Sequence, residues 1–344
     1  MTNDSGVQEG PQGQALRDQA APRDQEALRD RVAGVMVGTA VGDALGAGYE
    51  FGSAPLGRSG PDMIGGGLGR FAPGEWTDDT TMAWCVLDVA AQGRRLLSED
   101  SLDAVARRFR DWYDSGPPDI GTQTAAVLRR GGSAPTAARL QEAAADYSAR
   151  REHSAGNGSL MRTAPVALAY LGSPQEIARA ATEVSALTHA DPRAGEACVL
   201  WSLAIDRAVR EQVLDIRSGL EFLDSAEARS YWASRIDEAE QEEPVRFTPN
   251  GWVVSALQAA WSAICHTPVP ADDPGRHLAD SLTTAIGIGD DTDTVAAIAG
   301  GLLGARWGAS AAPARWREIS HGYPGRTGTD LAALALRAAG LTSP

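Results

Sequence analysis

The chain has 344 residues, and its 31 basic side chains against 45 acidic ones give a formal charge of −14. All 31 are Arg, so chemistry that needs a Lys amine is excluded: the P-loop, Schiff-base catalysis and the protein-kinase phosphate contact. The acidic balance argues against a general nucleic-acid binder or an anionic-membrane binder, and no apolar run reaches about 18 residues without a charge or breaker.

Residues 1–26 are polar, rich in Gln, Asp, Gly and Pro, and read as a disordered N-terminal tail with no apolar leader core. From about Asp24 the pattern turns helical: Val32, Val35, Met36 and Thr39 recur at three- and four-residue spacing and run into GTAVGDALGAGYEF. A helix is expected to begin near Asp79 on Met82, Val86 and Val89, and another carries Val105, Phe109 and Trp112. Ile177, Ala181, Val184 and Leu187 form a further stripe, and Val254, Leu257, Trp261 and Ile264 form one more. Residues 196–209 are apolar nearly all round, as in a central helix. Gly65–Gly69, Gly131–Gly132 and Pro117–Pro118 read as loops, and Asp237–Glu243 as a solvated helix end or loop. Alternating strand-like runs are almost absent, and no linker divides residues 27–344. The expectation is one all-α domain. Cys85, Cys198 and Cys265 lack CxxC spacing and lie in apolar helical patterns, so buried thiols in a reducing cytoplasm are expected.

Two acidic clusters carry the chemistry. Thr77-Asp78-Asp79-Thr80-Thr81 and Asp290-Asp291-Thr292-Asp293-Thr294 each directly precede a strong helical run. N-capping accounts for one acid in each, but not for two or three. Carboxylates and hydroxyls together are the donor set of Mg²⁺, Mn²⁺ or Ca²⁺. On a regular helix Asp291 and Asp293 would point about 160° apart. They converge only if Asp291 lies in the loop and Asp293 opens the helix, a turn that Gly287 and Gly289 permit. The glycines of VAAIAGGLLGA, behind the second cluster, suit close helix–helix approach. GNGSLMRTAP (156–165) reads either as a plain helix start or as a backbone nest for a phosphate or ribose. His189 and Asp191 stand before Pro192 and a further helix.

Taken together, GTAVGDALGAGYEF, WTDDTTMA, GNGSLMRTAP, THADPRA, GWVVSALQAAW and GDDTDTVAAIAGGLLGA resemble the ADP-ribosylglycohydrolase family, in the family's order, over roughly residues 30–305. The resemblance implies a compact orthogonal all-α globule with two divalent cations, Mg²⁺ or Mn²⁺. It implies hydrolysis of the bond between ADP-ribose C1″ and an acceptor such as a protein side chain. It places Thr77, Asp78 and Asp79 on one side of the metals and Asp291, Asp293 and Thr294 on the other. Glu50 is then ligand, base or gate, and Glu50, Asp79 and Asp291 are the catalytic candidates. Asn157, Gly158, Ser159 and Met161 would hold the diphosphate and distal ribose, His189 would lie beside that ribose, and Trp252 could stack on adenine. The partner implied is an ADP-ribose-bearing substrate, and the expected state is a monomer or weak oligomer.

Some positions depart from the family pattern. Arginine-directed members carry an acid shortly before GNG, where only Glu152 could serve. Ser255 stands where an acid is common, and Asp290, where Gly is common, adds local negative charge. A catalytically silent ADP-ribose binder or structural relative is the alternative. A diphosphate enzyme of the isoprenoid-synthase type is disfavoured, because that class requires DDxxD and Met82 breaks the pattern after Asp78-Asp79.

Overall fold

The computed structural model describes residues 22–151 and 154–341. Its α-helices are α1 (Pro22–Gly46), α2 (Asp78–Ala90), α3 (Glu99–Asp114), α4 (Thr122–Gly131), α5 (Ala137–Ala149), α6 (Ala164–Ala169) and α7 (Pro174–Ala186). They continue as α8 (Pro192–Glu211), α9 (Ala226–Gln241), α10 (Val253–His266), α11 (His277–Ile288), α12 (Thr292–Trp307), α13 (Ala314–Ile319) and α14 (Gly328–Ala338). The strand content among the described residues is one short hairpin, His321–Gly322 paired antiparallel with Arg326–Thr327. The all-α expectation holds, and every helical stripe read from periodicity falls in a helix, with Leu187 just past the end of α7.

The main packing is α1 against α12, and small residues make it possible. A Cβ on Gly38 would stand 2.1 Å from the Gly300 carbonyl oxygen, and one on Gly304 would stand 1.9 Å from that of Gly34. The backbones are therefore in direct contact, and the cost of Gly inside a helix, about 1 kcal/mol each, is offset by that contact. The Thr292 hydroxyl donates to the Gly46 carbonyl at 2.9 Å, so the end of α1 is tied to the start of α12. Helix α8 is buried along most of its length, as expected for a central helix, and Trp201 Nε1 donates to the Ile298 carbonyl at 3.0 Å. One hydrophobic core runs from Leu28 to Leu341.

Four expectations change. Helix α1 starts at Pro22, inside the segment read as a tail; residues 1–21 lie outside the described residues. The segment Arg23–Gly52 is long and apolar enough to cross a membrane, but its apolar window is 100% buried, which makes it a core helix. The acids near the end of α9 are not simply solvated. Arg217 pairs with Asp237 and Glu240, and Trp261 Nε1 donates to Glu240 at 3.0 Å, so they join α9 to α10 and to the turn at 217–222. Cys85 and Cys198 are buried, but Cys265 is exposed, because it sits on the outer face of α10.

Candidate active site and metal centre

Three segments end at one place. The short turn after α1, Ala47–Gly52, leaves helical geometry at Glu50, and the Phe51 N–H donates to the Asp290 carbonyl at 2.7 Å. Helix α2 opens with Thr77 as its extended N-cap, followed by Asp78 and Asp79. Helix α12 opens with Asp291 as its N-cap and Asp293 in its first turn. Asp291 thus stands outside the helix and Asp293 inside it, the arrangement their convergence requires. Helix N-termini also favour the negative charge placed there.

One carboxylate oxygen from each of Asp43, Asp79 and Asp293 lies within 4.8 Å of the others, and so does one from each of Glu50, Asp291 and Asp293. Asp293 belongs to both groups. Asp79 is 1% exposed, Asp293 2% and Glu50 5%. Glu50 Oε2 and Asp79 Oδ1 have no hydrogen-bond partner. Among the described residues no Arg forms an ion pair with any of these acids.

Such a cluster holds its protons tightly. Burial, then the charges of Asp119, Asp291, Asp78 and Asp43, push Glu50 from 4.5 up to about 8. Burial raises Asp79, Asp293 and Asp78 well above the usual carboxylate range, and neighbouring acids raise them further. Orphaned buried oxygens, an all-oxygen donor set and no basic partner fit hard divalent cations. Thr294 adds a buried hydroxyl at the same helix end, and this hydroxyl also hydrogen-bonds Asp291.

Asp43 is a part of the site that the sequence reading did not pick out. It is fully buried on α1, and both oxygens are engaged. Oδ1 accepts from the Thr77 N–H at 2.9 Å; Oδ2 accepts from the Thr80 N–H at 2.9 Å and from the Thr80 hydroxyl at 2.6 Å. One carboxylate therefore caps α2 from another helix and fixes the turn bearing Thr77, Asp78 and Asp79. Burial raises it from 3.8 to about 6 against those hydrogen bonds. The available signal was an Asp inside the small and apolar run GTAVGDALG. Asn250 was also missed. It is fully buried; its Oδ1 accepts from the Asp291 N–H at 2.9 Å, and its Nδ2 donates to the Gly289 carbonyl at 3.1 Å. Asp119, in the loop after Pro117–Pro118, is the strongest acidic neighbour of both Glu50 and Asp78. Asp290 turns away from the cluster: its carboxylate accepts from the Thr248 hydroxyl, and its backbone sits at φ 57°.

The Asn157–Met161 loop is tied to the same centre. Asn157 Nδ2 donates to Asp291 Oδ2 at 2.7 Å and to the Asn250 carbonyl at 3.2 Å. Gly158 packs on His189, where a Cβ would stand 3.1 Å from Cε1. The Ser159 hydroxyl faces inward and accepts from Ser185 at 2.9 Å, and Met161 is buried. His189 bonds the Thr188 hydroxyl through Nδ1 at 2.8 Å, and burial lowers it to about 3, so it is neutral at physiological pH. Trp252 is 47% exposed at the start of α10. Glu152 lies outside the described residues.

Two cavities flank this arrangement. One, of about 390 Å³, is lined by Thr77, Asp78, Trp112, Pro118, Asp119 and Tyr323. The other, of about 360 Å³, reaches His189 and Asp191.

The raised carboxylates set the sign of a stability test. A folded-state value above the ordinary one contributes stability that is present at low pH and lost as pH rises through the folded value. With chelator present, the Tm is expected to fall between about pH 5 and 8, as Asp43 (about 6) and Glu50 (about 8) ionise. Added Mg²⁺ should raise the Tm most at the alkaline end. A chelated protein whose Tm rises across that window would remove the buried-acid account.

A family model described as ADP-ribosylglycohydrolase matches residues 24–344. An ADP-ribosylarginine hydrolase of Pseudomonas putida is 30% identical over 88% of this chain and 77% of its own length. The ADP-ribosyl-[dinitrogen reductase] glycohydrolase of Rhodospirillum rubrum is 30% identical over 84% of this chain and 90% of its own. ADP-ribosylhydrolase ARH3 of Bos taurus is 28% identical over 85% and 89%. A solved ADP-ribosylglycohydrolase-related protein complex has the same fold, with a TM-score of 0.68 at 29% identity, covering 92% of this chain and 100% of that chain. The helical fold, the converging acids and these relatives agree: the chain belongs to the ADP-ribosylglycohydrolase family.

Proposed function

We propose that the protein hydrolyses the glycosidic bond between ADP-ribose C1″ and a cationic acceptor, using two divalent cations held by the converging acids. The observation that carries this reading is the pair of carboxylate groups sharing Asp293, buried without a basic partner. Thr77, Asp78, Asp79, Asp291, Asp293, Thr294 and Glu50 are the residues that would hold the cations, Mg²⁺ or Mn²⁺. Divalent cations supply orientation of ribose hydroxyls and of a water, and favour the water's ionisation.

The chain's own groups would do the rest. Cleavage passes through a positively charged, oxocarbenium-like state at C1″. The acid-lined site favours that charge, and Glu50 Oε2, unpartnered and buried, would accept the proton of the attacking water once neighbouring cations hold Glu50 in its ionised form. Asn157 orients Asp291 by its 2.7 Å hydrogen bond. The Asn157–Met161 loop would cradle the diphosphate and distal ribose with neutral His189 beside it, and exposed Trp252 offers a ring face for adenine. The acceptor would leave through the cavity walled by Asp78, Asp119, Trp112 and Tyr323. Carboxylates beside aromatic faces suit a planar guanidinium better than a neutral hydroxyl.

A substrate panel tests the reading: ADP-ribosylated Arg, Ser and nucleic acid, each with and without Mg²⁺. Mg²⁺-dependent release of ADP-ribose, fastest from Arg, is the expected result. ADP-ribose binding without turnover of any linkage would replace the reading with a silent binder, and faster turnover of Ser would overturn the cationic acceptor.

A further inference from the structure

Arg162 is fully buried, and no carboxylate pairs with it among the described residues. Its guanidinium lies 4.7 Å over the Phe109 ring. Nη1 donates to the Gly158 carbonyl at 3.1 Å and lies 3.9 Å from the Met82 sulfur, and Nη2 donates to the Val184 carbonyl at 3.1 Å. Nε has no partner at all. An unpaired charge taken out of water is strongly unfavourable, and an apolar side chain of similar volume would usually serve stability as well or better. Two carbonyl bonds and one ring face are a small return for that cost.

The location supplies the reason. Gly158 is held from two sides: His189 packs where its Cβ would be, and Arg162 holds its carbonyl. Behind the loop, the Ser159 hydroxyl accepts from Ser185 and Cys198, which ties the inner side of the loop to α7 and α8. The charge of Arg162 is felt at Asp78 on α2 and at His189, so it lies near both the acid cluster and the residue packed on the loop. Burial lowers Arg162 to about 10, so it remains a cation at neutral pH. In a protein of net charge −14, a diphosphate entering this site meets repulsion from many acids, and a fixed cation in a low-dielectric position offsets it over several ångströms.

We propose that Arg162 is the positioning residue of the substrate loop: it pins Gly158 by its carbonyl and sets a permanent positive charge behind the loop, facing the diphosphate side of the site. The inference rests on the reading above that Asn157–Met161 hold the diphosphate. Arg162 touches no reacting atom, and its effect is on how well the ADP-ribosyl group is held.

The test is calorimetric titration of the full chain with ADP-ribose in Mg²⁺, paired with steady-state kinetics on the best substrate of the panel. Arg162→Met should weaken ADP-ribose binding by about tenfold or more, the scale of a lost charge-assisted hydrogen bond. KM should rise in step while kcat stays within about threefold, because ground-state and transition-state binding are lost together. Arg162→Lys, which keeps the charge, should recover most of the affinity. A folded Arg162→Met protein that binds ADP-ribose within about twofold of the unaltered chain overturns the proposal. So does an Arg162→Lys protein as weak as Arg162→Met. If Arg162→Met does not fold, Arg162→Gln decides, since it keeps a donor for Gly158 but no charge. A raised KM supports the proposal, and an unchanged KM overturns it. Failure of the unaltered protein to bind ADP-ribose would instead remove the loop reading itself, and the inference with it.

Discussion

Asp291→Asn is expected to lower kcat by at least ~100-fold, the scale that outer partners of metal ligands alone can reach. The helical circular dichroism spectrum should be unchanged. Asp291 touches three parts of the site. Its carboxylate lies within 4.8 Å of Glu50 and Asp293, its Oδ2 accepts from Asn157, and its N–H is held by Asn250. Asn fills nearly the same volume and can still meet Asn157, so the fold has no reason to move. What is lost is a negative charge and one ligand oxygen where divalent cations are proposed to bind. The number of cations retained after gel filtration, measured by elemental analysis, should fall along with turnover. A variant that keeps both its turnover and its cation content would sink the assignment of Asp291 as a ligand.

Gly304→Val should leave no soluble folded protein, while Gly304→Ala should be destabilised by more than ~3 kcal/mol, beyond ordinary overpacking. A Cβ at 304 would stand 1.9 Å from the Gly34 carbonyl oxygen, and that oxygen is backbone on a facing helix. Neither partner can swing aside as a long side chain could. The two helices would have to separate along their length, and at one end of that pair stand Glu50, Asp291 and Asp293. With total stability of a domain near ~5–15 kcal/mol, the loss is a large fraction of the whole. Urea unfolding of the Ala variant, and soluble yield of the Val variant, measure the effect. A Val variant with a wild-type unfolding midpoint would show that the α1–α12 contact is looser than these distances describe.

Much of the site was legible in the sequence because its signals are local. Thr77-Asp78-Asp79 and Asp291-Thr292-Asp293 crowd acids at helix starts, which capping alone does not require. Gly289 marked the turn that lets Asp291 and Asp293 converge, and it has φ 90°, whereas Gly287 lies inside α11. The small residues of α12 foretold close packing, although not its partner. Asp43, Asn250 and Asp119 were not picked out, because each acts on residues far along the chain, and Arg162 was not, because its burial is set by Phe109 and Val184 from distant helices. Asp43 reaches Thr77 and Thr80 from 34 and 37 residues away, and Asn250 reaches Asp291 from 41. Asp290 shows the opposite error. It sits directly beside Asp291 in the second acidic cluster, yet its left-handed backbone turns its carboxylate to Thr248.

The sequence by itself determined the helical stripes of α1, α2, α3, α7, α8 and α10, the charged starts of α2 and α12 and which chemistry the missing Lys excludes, because periodicity, capping and composition act over a few residues. The tertiary structure decided which charged ends meet. Only the glycine seam between α1 and α12 brings the turn after one helix to the start of the other, and only that approach places Glu50 beside Asp291 and Asp293. The physical reason is burial. An acid on an isolated helix end is solvated and ordinary. Enclosed with its neighbours and without a basic partner, it becomes part of a cluster with raised carboxyls and the donor set that a hard cation would fit.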